Sequence, residues 1–170
     1  PTIRTNNTSN DNSIYRITND SIQSIFGNRH NKRGAIMDLK EYSKIAIATC
    51  KNLPQKEHDM HMLLGMGTEI GELMDTYKKA LAYGKEIDMI NVKEELGDIF
   101  WYWSNFCTVN GIDPDEVLQM NANKLRARYP ERFTSESALN RDLEKERKVM
   151  ENVATGRAKQ IMFELGYDDE

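Results

Sequence analysis

The chain carries one short acidic phrase twice, and that repeat limits its folds more than any other feature. Glu69-Ile70-Gly71-Glu72-Leu73 returns 26 positions later as Glu95-Leu96-Gly97-Asp98-Ile99, and the likeness runs on as Met74 over Phe100 and Tyr77 over Trp103. Each phrase sets two carboxylates three residues apart, which on a helix puts them on one face about a turn apart. Apolar residues recur at helical spacing beside them. One segment has Leu63, Met66, Ile70, Leu73, Met74, Tyr77 and Leu81; the other has Val92, Leu96, Ile99, Phe100, Trp103 and Cys107. Both stripes predict amphipathic helices, over residues 57–82 and 91–109.

Two such helices joined through Tyr83-Gly84-Lys85 make an antiparallel hairpin. A turn centred on Tyr83-Gly84 sets Glu69 level with Asp98 and Glu72 level with Glu95. A connection running on to Asn91, which with Glu94 forms a capping signature, slides the second helix. The sequence leaves both registers open. Gly71 and Gly97 each cost a helix about 1 kcal/mol against Ala, so one in each phrase suggests that the helices approach closely there.

A single Glu pair on a helix is ordinarily a solvated face. Four facing carboxylates repel one another, and a bound cation is the usual remedy; carboxylate oxygens suit Mg2+ or Mn2+. The doubled phrase, flanked by core stripes, favours that second reading for Glu69, Glu72, Glu95 and Asp98.

Elsewhere the chain is punctuated clearly. Asp38 with Glu41 reads as a capping box opening a helix that stops near Asn52, before Pro54. Asn110-Gly111 is a stop, and Asp113-Pro114-Asp115-Glu116 a restart with an N-cap and Pro at the first position. The helix that follows has a stripe of Leu118, Ala122, Leu125 and Tyr129, and a second face bearing Asn121, Lys124 and Arg128; Phe133 anchors the loop beyond. Residues 135–153 read as one charged helix with a thin apolar line. The tail has a patch of Ile161, Met162, Phe163 and Leu165.

The acidic hairpin, with the downstream Asn121-x-x-Lys124 and Arg128-Tyr129-Pro130, resembles the MazG-like branch of the all-α nucleoside triphosphate pyrophosphohydrolases. The superfamily also holds dimeric dUTPases and phosphoribosyl-ATP pyrophosphohydrolases, and the likeness covers residues 38–133. It implies an all-α antiparallel helical bundle completed by oligomerisation, as a homodimer or homotetramer. It further implies attack of water on the α-phosphorus of a nucleoside triphosphate, giving a monophosphate and pyrophosphate. By position, Glu69, Glu72, Glu95 and Asp98 match the family's metal ligands and catalytic acids, with Glu69 favoured to orient the water. Asn121, Lys124 and Arg128 match its nucleotide contacts; Lys brings a point charge and Arg a fork for phosphate oxygens.

Further substrate contacts follow from placement. Trp101, three residues after Asp98, borders the acidic face and is placed to stack on a base, with Asn105 one turn on to bind its edge; plain packing is the alternative. His58 and His61 lack a third zinc ligand and read as a partly exposed pair, although His61 could face the nucleotide. The acids do not choose the substrate among canonical deoxynucleotides, dUTP, dCTP, damaged nucleotides and alarmones of the ppGpp type. A non-catalytic helical adaptor is the competing class, but an adaptor has no use for two acidic phrases and a basic face.

Length and charge agree. A chain of 170 residues with 39 % hydrophobic content has a single-domain length and a thin core. A net charge of −4 argues against general nucleic-acid binding. Cys50 and Cys107 lack metal spacing and read as reduced thiols; with no signal-peptide run and no apolar stretch near a membrane span, a cytoplasmic setting is expected. Three regions result. Residues 1–36 form a flexible polar arm, with an extended stretch at 13–18, a brief helix at 21–26 and a basic loop at 28–34 that is either a solvated linker or reaches over a neighbour's nucleotide site. Residues 37–134 form the helical catalytic domain, and 135–170 a C-terminal helix and tail.

Overall fold

Capping chemistry sets most of the helix boundaries in the computed structural model, which describes residues 37–164 and the side chains of residues 37–156. The arm at 1–36, with its extended stretch, brief helix and basic loop, and the side chains of the apolar tail patch lie outside the described residues.

Helix α1 (Leu39–Ala48) opens on Asp38, whose Oδ1 accepts the Glu41 amide at 2.7 Å. It ends at Thr49, a full turn short of Pro54, because the Thr49 hydroxyl donates to the Ala46 carbonyl and closes the last turn. Helix α2 (Gln55–Tyr83) is the longest and stops at Gly84, whose left-handed φ of 63° lets its amide reach the Ala80 carbonyl. Helix α3 (Met89–Val109) starts on Asp88, not on Asn91: the Asp88 carboxylate accepts the amides of Ile90 and Asn91. Asn91 is free for other work because Asp88 does the capping. Asn110 and Gly111, at φ 64°, close α3, and α4 (Pro114–Arg128) follows from its Asp113 cap.

The charged stretch expected as one helix is two. Thr134 caps α5 (Ser135–Leu139) by accepting the Ser137 amide at 3.0 Å, and the chain breaks over Asn140–Asp142. Asp142 then accepts the Lys145 amide at 2.9 Å at the start of α6 (Leu143–Glu164). Two cap-forming residues within eight positions outweigh the uniform helix propensity between them.

Among the described residues every regular element is a helix, and α2 and α3 form an antiparallel hairpin. The α2–α3 hairpin is the most extensive contact, and α4 packs chiefly against α6. Helix α1 lies on α3 and touches α4. Ser104 Oγ meets Ser43 Oγ at 3.1 Å, and the rings of Tyr42 and Phe100 sit 5.1 Å apart. Few apolar side chains are buried: Ala46, Met62, Val92 and Cys107. Much of the expected α2 stripe faces out instead, including Leu63, Ile70, Met74 (65 % exposed), Tyr77 and Leu81 (91 %). Leu96 of α3, and Leu118 and Leu125 of α4, are also exposed. Helix α2 is covered by α3 along one side only, so its apolar stripe is wider than its own chain can bury. Phe133 touches the Tyr129 ring at 5.4 Å yet stays exposed.

The close approach expected at Gly71 and Gly97 lies elsewhere. A Cβ at either would meet nothing within 4 Å, whereas one at Gly65 would overlap the ring of Tyr102. No described helix is long and apolar enough to cross a membrane.

Candidate functional site

The hairpin register decides which acids meet. Thr76 Oγ1 donates to Asn91 Oδ1 at 2.7 Å, Gly65 lies against Tyr102, and Asn110 Nδ2 donates to Asp59 Oδ1 at 2.8 Å. These pairs belong to the register of a turn centred on Tyr83-Gly84. Glu69, Glu95 and Asp98 each then offer a carboxylate oxygen within 4.8 Å of the others.

The three are not equivalent. Glu95 is buried at 5 % exposure, Glu69 half-buried and Asp98 exposed. The Glu69 carboxyl is raised from the ordinary range, first by burial and then by the charges of Glu72 and Asp98 and by Glu95. Glu72 lies outside the three-oxygen group; it is exposed and acts on Glu69 through its charge. Glu95 has a donor of its own in Asn91, whose Nδ2 lies 2.6 Å from Oε1.

Two phenols border the acids. Burial, then the charges of Glu69 and Asp98, pushes the Tyr102 hydroxyl upward; burial and then Asp98 do the same to Tyr42. Neither Tyr was singled out in the sequence, nor were Asn91 and Thr76 as partners of an acid. A signal was present: Tyr102 is four residues after Asp98 and Asn91 four before Glu95, one helical turn in each case.

Trp101 is half-buried, packed edge-on to Tyr102 at 4.9 Å, and its Nε1 donates to Thr49 Oγ1 at 2.9 Å. Asn105 is fully buried; its Nδ2 donates to the Trp101 carbonyl at 3.0 Å, while Oδ1 has no partner. His61 is exposed, with its ring 5.8 Å from Tyr102. His58, expected to be partly exposed, is buried: it packs under the end of α1 with Nε2 3.6 Å from Cys50 Sγ, and burial lowers its pKa. Both cysteines are free thiols, each pushed up by burial.

The basic face of α4 is divided. Asn121 is exposed and Lys124 half-buried. Arg128 is committed within the chain, its Nε and Nη2 forking onto the two oxygens of Glu146 at 2.8 and 2.7 Å. Arg141 binds the same carboxylate from the other side, at 3.3 and 2.7 Å. Glu146 is buried, and the two guanidinium groups hold its carboxyl far below the usual range.

Residues 57–133 match the family model of the MazG nucleotide pyrophosphohydrolase domain. This span is MazG-like. The matched span runs from the first turn of α2 to the loop after α4, so it contains the acid group, Tyr102 and the basic face, while Tyr42 on α1 precedes it. No match was found among curated proteins or among solved structures. A MazG domain suggests nucleotide pyrophosphohydrolase activity in general terms, and its family typically depends on divalent metal.

Proposed function

We propose that the protein is a Mg2+-dependent nucleoside triphosphate pyrophosphohydrolase that cleaves between the α- and β-phosphates, with Mn2+ an acceptable substitute. The observation that carries this reading is the convergence of Glu69, Glu95 and Asp98 from two antiparallel helices inside the matched domain.

The acid group suits a hard divalent cation on its own chemistry. It offers three oxygen donors from two rigid helices. One of them, on Glu69, is a carboxyl whose charge is disfavoured by burial and by acidic neighbours, and a cation would relieve that repulsion. Glu69, Glu95 and Asp98 would hold the ion, with Glu72 at the open edge. When bound, the ion supplies positive charge against the polyphosphate and makes a water more acidic.

The chain's own residues do the rest. Glu69 orients the attacking water and takes its proton as oxygen bonds to the α-phosphorus. The bond to the bridging oxygen breaks, pyrophosphate leaves with the electron pair, and the nucleoside monophosphate remains. Lys124 and Asn121 would meet phosphate oxygens, and Arg128 would do so only while shared with Glu146. Trp101 and His61 flank Tyr102 and would contact the base or sugar. Asn105, expected to bind the base edge, is fully buried, so its unpartnered Oδ1 is closed to a base in this conformation; such an orphan costs about 1–3 kcal/mol.

The exposed apolar stripe of α2 supports a homodimer or homotetramer, since one chain leaves Met74 and Leu81 in water. Sedimentation of the purified chain measures that directly.

The deciding experiment incubates the protein with Mg2+ or Mn2+ and a panel of nucleotides, and assays released pyrophosphate. The panel holds the canonical deoxynucleotides, dUTP, dCTP, oxidised nucleotides and ppGpp-type alarmones. Turnover that is lost in Glu69→Gln and Asp98→Asn supports the reading. No turnover on any member overturns it, and no gain in thermal stability on adding metal would remove the metal site as well.

A further inference from the structure

Glu95 is the most buried of the three clustered acids, and a carboxylate so far from water must be held by donors. Asn91, one turn earlier on α3, supplies one from Nδ2 at 2.6 Å. An amide can present nitrogen or oxygen; the Glu95 carboxylate, an acceptor only, takes the nitrogen, and Thr76 completes the pair at the oxygen. From α2 its hydroxyl donates to Asn91 Oδ1 at 2.7 Å, with the NH2 group toward Glu95. With the amide reversed, Asn91 would aim its carbonyl oxygen at a carboxylate.

We propose that Thr76 and Asn91 form a positioning pair that fixes the Glu95 carboxylate as a cation ligand; this rests on the reading that the acid group holds a divalent ion. The pair works in two ways. It restricts Glu95 to one rotamer by occupying Oε1. It also ties α2, which carries Glu69, to α3, which carries Glu95 and Asp98, at a point within two turns of the acids. Donor groups behind metal ligands commonly change metal affinity by about 10–100-fold when removed.

The test measures Mn2+ binding to the full chain by electron paramagnetic resonance, without nucleotide, so the readout does not depend on turnover. Asn91→Ala should weaken binding by about tenfold. Thr76→Val should weaken it less, and Thr76→Ser should restore it. The same substitutions are then made on Glu95→Gln. A pair acting through Glu95 has no further effect there, whereas a pair that merely pins the hairpin costs the same in both backgrounds. Unchanged affinity in Asn91→Ala, or equal losses in the two backgrounds, overturns the proposal. If Asn91→Ala does not fold, the Thr76→Val and Thr76→Ser contrast decides by the same criteria. A parent chain that binds Mn2+ but hydrolyses no nucleotide would end the proposed activity and leave this inference standing. A parent that binds no Mn2+ would end both.

Discussion

Gly65→Ala isolates the one place where the hairpin helices touch too closely for a side chain. A Cβ there would overlap three carbons of the Tyr102 ring, Cε1, Cζ and Cδ1. The ring has little room to move, being edge-on to Trp101 at 4.9 Å and to His61 at 5.8 Å. Overpacking of this kind costs about 1–3 kcal/mol, and three overlapping ring carbons belong at the upper end. Alanine returns about 1 kcal/mol of helix propensity, leaving a net loss of about 2 kcal/mol. For a chain of this size that lowers Tm by about 4–8 °C. Gly71→Ala and Gly97→Ala are the controls: nothing lies within 4 Å of either Cβ, so both should gain about 1 kcal/mol. Urea midpoints at constant m-value provide the assay. On a Tyr102→Ala background the sign at Gly65 should reverse, because the overlap is gone while the propensity gain stays. A Gly65→Ala chain as stable as the parent, with Tyr102 in place, would refute the packing argument. A loss at Gly71 or Gly97 would mean that a second chain covers those positions.

The Glu146 carboxyl is held low by Arg128 and Arg141, so its contribution is fully present above the ordinary Glu pKa of about 4.3 and is lost as pH falls below it. Glu146→Gln should therefore lower stability at neutral pH and flatten the acid limb of the urea midpoint against pH; an unchanged slope would count against the triad. Trp101→Phe removes the hydrogen bond to Thr49, worth about 1 kcal/mol, but keeps a ring, whereas Trp101→Ala removes both. If the ring stacks on a base, only the alanine variant should lose affinity for a non-hydrolysable nucleotide, and unchanged affinity in a folded alanine variant would remove the role. Lys124→Ala should raise KM with little change in stability, while Arg128→Ala should destabilise the chain by leaving Glu146 with one partner; equal stability losses in the two would refute the division of the basic face.

Local signals in the sequence carried far. Asp38, Asp113, Gly84 and Gly111 mark helix ends through their own caps and turn geometry, so α1, α2 and α4 were legible within a few residues. The acid group was legible because a repeated i, i+3 pair needs only helical periodicity and a hairpin. Competition between two good signals was not. Asp88 and Asn91 can each cap α3, and the choice falls to Asp88 because the Asn91 amide has tertiary partners in Glu95 and Thr76. Periodicity also marks which face of a helix is apolar but not what covers it. Ile70 and Tyr77 fit the α2 stripe as well as any residue, yet both are exposed in the single chain.

Arg128 shows where spacing stops being informative. With Asn121 and Lys124 it occupies one face of α4, and helical geometry alone treats the three alike. What separates them is Glu146, eighteen residues on and beyond a helix break, which reaches Arg128 only because α6 folds back along α4. A bidentate fork to a buried carboxylate is a strong bond, and withdrawing it would leave Glu146 to Arg141 alone. Under the proposed function, phosphate recognition on α4 would fall first to Lys124 and Asn121, with Arg128 holding α4 against α6. The same logic governs the acids. Asp98 and Glu72 are exposed and open to ligand, while Glu95 is buried and bound through Asn91. On α3 and on α4 alike, one charged group is fixed by an internal partner, Glu95 by Asn91 and Arg128 by Glu146, while Asp98 and Asn121 beside them stay exposed.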